Sequence, residues 1–344
     1  MKPLNGRPKL LKQANLSLIR KAIRSGGTAT RAEIAEKTQI SSTTVRALLS
    51  QMLEDGEIVS IGHDESSGGR KAERYALCPE RYHSAAFCMT DNRIDALLVN
   101  ICGEIVESEQ LDAIGEYEAV ISAYLDRITA QQEIRSIGIG VPGIVEDGSF
   151  WRKSGQGTLC EIPLGRVLAK RYGIPVVLEN DLNATAIGFG RRYGKEHPED
   201  CSGCENMAYL HFEKGCVSAG FLSQGRIIRG HGNFAGELGL LPMENGKSLD
   251  ECMSQAADDE RYVRLVAMIV RWICGILNPR VVVLGGPDLR ESCVGAIRGE
   301  ALAQLPERMQ AEILHSPEVW NDYYIGMAQL TASKMFDEIQ LLKE

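Results

Sequence analysis

Apolar residues recur at helical spacing along the first fifty positions. Leu16, Leu18, Ile19, Ala22 and Ile23 share one face until Gly26-Gly27 interrupts them, which predicts a helix over residues 16–25. Thr30-Arg31-Ala32-Glu33 reads as a capping box opening a short helix to about residue 37. After Gln39-Ile40, Ser41 can cap a third helix, whose stripe is Val45, Leu48, Leu49, Met52 and Leu53. Gly56 ends it, and residues 58–61 and 74–77 read as the two strands of a hairpin.

A new pattern begins beyond Pro79. Residues 85–89, 94–100 and 105–110 predict three successive strands, with turns at Asp91-Asn92 and Cys102-Gly103. A helix over 117–129, a strand over 134–141, a helix over 164–171 and a strand over 176–179 follow. A second meander is predicted at 208–212 and 217–222, then a long helix through 263–277, a strand at 281–284 and a final helix over 326–341. Two meander-led α/β lobes behind a small helical module are implied. A length of 344 residues suits that division. The expected domains are 1–82, 83–190 (completed by a carboxy-terminal helix over 323–344) and 191–322, the last also carrying oligomerisation and part of a ligand cleft.

Charge is unevenly distributed between these parts. Residues 1–77 carry a net charge of +5 and the remainder −13, so the overall −8 conceals a basic module on an acidic body. Such a module can present one local surface to nucleic acid. The longest apolar run, 263–277, contains Arg264 and Arg271, and no stretch reaches the roughly 20 apolar residues a bilayer span needs. Residues 1–12 are basic but lead into no apolar segment of the secretory kind. The ten cysteines sit in core-like contexts such as Phe87-Cys88-Met89 and Trp272-Ile273-Cys274, which suits a reducing compartment. A cytoplasmic protein is expected.

In the amino-terminal module, Ser41, Ser42, Thr43, Thr44 and Arg46 cluster at the start of the third helix, mostly off its apolar stripe, and Arg31 opens the second. Short hydroxyls and an arginine at that place in a helix-turn-helix reach phosphates and base edges, although the same residues also cap ordinary surface helices. The hairpin loop contains Gly68, Gly69, Arg70 and Lys71. Two glycines permit close backbone approach and Arg70 suits a narrow groove, so the loop reads as a DNA-binding wing. Operator DNA is therefore an expected partner.

Five segments in order, following Gly68-Gly69-Arg70, carry a resemblance: Gly138-Ile139-Gly140-Val141-Pro142-Gly143, Glu179-Asn180-Asp181-Leu182-Asn183-Ala184, Gly236-Glu237-Leu238-Gly239, Asn278-Pro279-Arg280, and Gly285-Gly286. Together they resemble the ROK family of sugar kinases and sugar-responsive repressors across nearly the whole chain. The resemblance implies an actin-like, ribonuclease H-like pair of lobes with a sugar cleft between them, and the winged helix-turn-helix points to the repressor branch. It assigns effector contacts to Gly143, Asn180, Asp181 and Glu237, with Asp250 standing in for a family glutamate. Carboxylates and amides of this kind suit hydroxyl-rich ligands. Asn180 and Asp181 could instead serve only to cap the helix that follows.

The departures from the family pattern shape the expectation most. The Asp-x-Gly-x-Thr phosphate turn of the kinases is replaced by Thr90-Asp91-Asn92-Arg93-Ile94, and the second glycine-rich turn by Lys214-Gly215-Cys216-Val217-Ser218-Ala219-Gly220. Phosphoryl transfer rests on positioning and charge stabilisation, so loss of both cradles predicts no kinase activity although the position of the family base is kept as Asp181. The family zinc site is also lost: Leu240 replaces its histidine, and only Cys252 remains of the cysteines after it. Cys201-Ser202-Gly203-Cys204 beside His197 reads as free thiols. The expectation is a repressor with no metal or cofactor, a sugar or sugar derivative as effector, and a homodimer or dimer of dimers. Its rival is an ATP-dependent carbohydrate kinase with an appended DNA-binding domain, in which Asp181 would be the base.

Overall fold

The structure is a computed structural model and describes residues 7–63, 72–90, 93–112, 117–153, 159–200, 204–243 and 246–336. Helix α1 (Arg7–Gly26) starts well before its apolar stripe, since Pro8 is tolerated in a first turn and nothing after it breaks the helix. A strand that the spacing does not predict, β1 (Thr28–Thr30), leads into α2 (Arg31–Thr38). The capping box forms as expected: Thr30 Oγ1 accepts from Glu33 N at 3.3 Å and Glu33 Oε2 accepts from Thr30 N at 2.8 Å. Helix α3 (Ser42–Glu54) is capped by Ser41 and buries Val45, Leu48, Leu49 and Met52, while Leu53 remains exposed. Strands β2 (Ile58–His63) and β3 (Glu73–Leu77) pair antiparallel, and β1 adds to the free edge of β3. The connection between β2 and β3, including the wing residues Gly68, Gly69, Arg70 and Lys71, lies outside the described residues.

The first lobe is built on β4 (His83–Met89), β5 (Arg93–Asn100) and β6 (Ile105–Asp112), an antiparallel meander. After α4 (Tyr117–Thr129), β7 (Ile134–Val141) joins β4 in parallel. A small ladder of β8 (Ile144–Glu146), β9 (Ser149–Lys153) and β10 (Leu159–Ile162) follows, unforeseen because its strands are short. Helix α5 (Leu164–Tyr172) then leads to β11 (Val176–Asn180), parallel to β7, and α6 (Asp181–Glu196).

The second sheet repeats this plan. Strands β12 (Met207–Glu213), β13 (Cys216–Ser223) and β14 (Arg226–Ile227) form the meander. The short α7 (Leu249–Ser254) and long α8 (Asp259–Leu277) precede β15 (Val281–Gly285), which pairs in parallel with β12. Helix α9 (Val294–Ala303) leads to β16 (Glu312–Ser316) and α10 (Val319–Lys334), with residues 337–344 outside the described part. The strand orders β11-β7-β4-β5-β6 and β14-β13-β12-β15-β16 are the same five-stranded topology used twice.

Helices α6 and α10 cross where Gly188 and Gly326 face each other's backbone. A Cβ on Gly188 would lie 1.7 Å from the Asp322 carbonyl oxygen, and one on Gly326 would lie 1.8 Å from that of Ala184. Only the absence of side chains lets the axes approach this closely. One core cluster runs from Ile19, Ile23, Val45 and Met52 in the amino-terminal module into Ala86, Leu97, Met327 and Ala328 of the first lobe. The module is thus docked on the body rather than tethered to it. At this seam Arg20 forks onto Glu57, with Nη2 to Oε2 at 3.0 Å and both side chains under a tenth exposed. The Arg20 guanidinium lies 3.6 Å from the centre of the Phe336 ring, whose edge also meets Tyr82.

Candidate functional site

On α3, Ser42, Thr43 and Arg46 project from the exposed face, and Arg46 has no ion pair or hydrogen bond among the described residues. Ser41 and Thr44 have a structural duty as well: Ser41 Oγ accepts from Thr44 N at 3.2 Å and meets Thr44 Oγ1 at 2.8 Å. Arg31 is exposed at the start of α2.

The second candidate site lies between the lobes, where β11 ends and α6 begins. Asn180 is the N-cap of α6. Its Oδ1 accepts from the amides of Leu182 at 3.0 Å and Asn183 at 3.1 Å, and its Nδ2 donates to Gly143 O at 3.0 Å. Asn180 therefore caps the helix, as the second reading expects, and also fixes the Gly143 turn at the cleft wall. Gly143 holds φ +138°, and a Cβ there would lie 2.5 Å from the Trp151 carbonyl oxygen. Behind it the buried Glu179 accepts from Asn180 N at 3.1 Å and Asn183 Nδ2 at 2.9 Å, and pairs with Arg229. This network fixes the start of α6 before any ligand arrives.

Asp181 opens into two adjoining cavities. One, of about 590 Å³, runs past Thr90, Arg93, His211, Glu213 and Trp320. The other, of about 360 Å³, is lined by Gly143, Asn180, Asp181, Asn233 and Glu237 among others. Burial pushes the Asp181 carboxyl up to about 7; the Leu182 amide opposes this, and the nearby carboxylates of Glu213 and Glu237 add to it. The structure thus brings Gly143, Asn180, Asp181 and Glu237 to one cleft. Asp250 is not among the residues lining it, which corrects the expectation for that residue. Its carboxylate accepts from Val217 N at 2.9 Å and packs against Gly239, tying α7 to β13.

Two cleft residues escape the sequence reading, His211 and Glu213. They stand on β12 with Nε2 and Oε2 3.4 Å apart, and burial pushes the His211 imidazolium down, favouring the neutral ring. Their signal was the alternation of β12, which turns both to the same face. Glu213 also begins the turn that replaces the second glycine-rich loop. Lys214 and Gly215 take φ of 53° and 74° and close a two-residue hairpin, with Glu213 opposite Cys216. Gly215 N donates to Asp288 Oδ2 at 3.2 Å. An amide that could face a phosphate is turned instead to a carboxylate.

The first phosphate turn is also altered. Thr90 N donates to Arg93 O at 3.0 Å, and the Arg93 guanidinium is held by Asp95 at 3.0 Å and by the Tyr324 hydroxyl at 3.3 Å. Asp91 and Asn92 lie outside the described residues. The residues present do not fit the family's zinc: Leu240 is 70% exposed and offers no ligand atom, Cys252 is buried, and no group of three or more His, Cys, Asp or Glu side chains is placed for a metal among the described residues. Cys201 lies outside those residues, whereas its expected neighbour Cys204 is buried. None of the described helices is long and apolar enough to cross a membrane.

A duplicated, actin-like body with a polar cleft between its lobes is docked to an amino-terminal module of three helices and a three-stranded sheet. A model of the ROK family matches residues 89–258 of the chain. It is 29% identical over 266 residues to a putative xylose repressor of Caldicellulosiruptor sp. (strain Rt8B.4), covering 72% of this chain and 63% of the relative. It is 25% identical over 247 residues to the xylose repressor of Bacillus subtilis (strain 168), covering 68% and 62%. To the DNA-binding transcriptional dual regulator NagC of Escherichia coli (strain K12) it is 22% identical over 294 residues, covering 76% and 67%. The matches to the xylose repressors thus span less than two thirds of their length. Among solved structures, a ROK family transcriptional regulator homologous to the E. coli MLC protein superimposes with a TM-score of 0.73 at 17% identity, covering 95% of this chain and 98% of its own. The ROK hexokinase of Thermus thermophilus gives 0.55 at 20% identity, covering 72% and 97%. These likenesses show the fold.

Proposed function

We propose that the protein is a transcriptional repressor whose winged helix-turn-helix binds operator DNA and whose interlobe cleft takes a neutral sugar or sugar derivative. The observation that carries this is the pairing of a preorganised polar cleft with a turn unsuited to phosphate. Asn180, Asp181 and Glu237 offer amide and carboxylate groups to hydroxyls, while Glu213 lines the same cavity and Asp288 takes up the Gly215 amide of the turn. The names of the repressor relatives point the same way. Ser42, Thr43 and Arg46, with the wing residues Gly68, Gly69, Arg70 and Lys71, would contact DNA, and a homodimer or dimer of dimers would place two such modules on successive half-sites.

Fluorescence anisotropy on the DNA upstream of the gene, at fixed salt and with a panel of sugars, tests this reading. Specific binding altered by one neutral sugar is expected. Specific binding indifferent to every sugar would remove the cleft assignment. The kinase reading retains one favourable observation, since a carboxylate with a pKa near 7 beside an open cleft suits a general base. A coupled ADP-release assay with the same sugars is expected to show no turnover, and measurable turnover would restore that reading.

A further inference from the structure

A third cavity, of about 1090 Å³, lies between the winged helix-turn-helix and the body, away from the interlobe cleft. Its walls come from both parts: the end of α1 and of β3 on one side, and the β5–β6 turn, α6 and α10 on the other. Arg24, Arg191, Arg192 and Lys195 line it, and among the described residues Glu104 is the one carboxylate that does so. Arg24, Arg192 and Glu104 already have partners. Arg192 is forked onto Asp322 at 2.7 and 3.1 Å, and Glu104 accepts from Asn100 Nδ2 at 3.0 Å.

Arg191 and Lys195 have no ion pair or hydrogen bond among the described residues, and they stand one turn apart on α6. Like charges at that spacing repel, and Arg24 brings another cation to the same space from α1. An anion placed among them would relieve the repulsion. Leu77, Ile105 and Ile325 supply apolar wall, so the space suits an organic anion better than a bare ion. The cavity lies at the Leu77 end of β3, whereas the DNA-facing loop leaves from the opposite end of that strand, so it is separate from the proposed DNA surface.

We propose that this cavity is a second ligand site, selective for a small phosphate ester held by Arg191 and Lys195 of the body and Arg24 of the DNA-binding module. Such a ligand touches both parts at once and would clamp the module to the body, stabilising that arrangement by mass action. The site does not depend on the reading of the interlobe cleft.

The test is calorimetric titration of glucose 6-phosphate, with glucose as the neutral control, into the full chain and three variants. Arg191→Gln/Lys195→Gln keeps helix-compatible side chains while removing both charges. Asp181→Asn alters the cleft, and Arg46→Ala the DNA-facing helix. We expect glucose 6-phosphate affinity to fall at least tenfold in the double variant, with its thermal midpoint without ligand unchanged, and to be kept in the other two. Equal affinity in the double variant overturns the proposal, as does loss in Asp181→Asn or Arg46→Ala, which would relocate the anion to the cleft or the DNA surface. Failure of the wild-type chain to bind glucose 6-phosphate, or equal affinity for glucose at the same site, overturns it too.

Discussion

Replacing Asp181 by Asn should stabilise the protein above neutral pH and leave it unaltered in acid. The carboxyl rises from an ordinary value of 3.8 to about 7 in the folded chain. Between those limits the folded state holds the proton more tightly than the unfolded state, so stability falls as pH rises from about 4 to 7 and then levels off. The span corresponds to a ceiling on the order of 4 kcal/mol. The side chain is only partly buried, and solvent screening brings the expected effect to about 2 kcal/mol. Asn cannot ionise, and its amide oxygen can keep the 2.9 Å bond from Leu182 N. Urea denaturation of both proteins at pH 4, 6 and 8 provides the assay. The midpoints should coincide at pH 4 and separate progressively, the variant standing higher at pH 8. A constant offset at all three pH values would show that Asp181 ionises freely in the folded protein. It would also remove the electrostatic strain that Glu213 and Glu237 are held to add. On the proposed function the same variant should also lose its sugar response.

Gly188→Ala should cost about 3 kcal/mol, because the added methyl meets the Asp322 carbonyl and must separate α6 from α10; an unchanged thermal midpoint would contradict that crossing. Glu57→Gln leaves the Arg20 guanidinium buried without its counter-charge and should lower stability by about 3 kcal/mol in chemical denaturation, whereas a neutral result would mean that Arg20 is solvated. Arg46→Ala should weaken operator binding by about 1 to 3 kcal/mol without altering the thermal midpoint, and anisotropy indistinguishable from wild type would take Arg46 out of the interface.

Elements with strong periodicity or chemical punctuation were legible along the chain, and those formed by distant partners were not. The Thr30 and Glu33 capping box, the Ser41 cap and the stripe through Val45, Leu48, Leu49 and Met52 fall where spacing places them, because each depends on neighbours within a turn or two. Strand β1 exists because β3 offers an edge to it, and three residues carry no period of their own. Strand β16 is likewise defined by pairing with β15. Within the cleft, Asn180 and Asp181 were legible from their segment. Asp250 has a carboxylate in a suitable stretch, but the capping box at Ser248 and Glu251 starts α7 there and turns Asp250 onto the Val217 amide. Gly138 and Gly140 have a plain packing reason as well. The space beside them is filled by Thr331 and Tyr323 of α10.

The same two helices connect the cleft to the amino-terminal module. Helix α6 carries Asp181 at its first turn and, farther along, Arg191 and Lys195 beside the module. Helix α10 begins near Trp320 and Tyr323 in the cleft wall and ends just before Met335 and Phe336, which pack with the core that α1 and α3 share. Because Gly188 and Gly326 press the helices backbone to backbone, neither can shift alone without a clash or a void. Arg20, Glu57 and Phe336 fix the far end in the same way. On the proposed function, a ligand that favours a different lobe arrangement would have to move the α6–α10 pair together with the core it shares with α1 and α3. Its effect on DNA binding would be set by the difference in its affinity for the two arrangements. On that proposal the recognition surface would be controlled by orientation, with no unfolding of the module required.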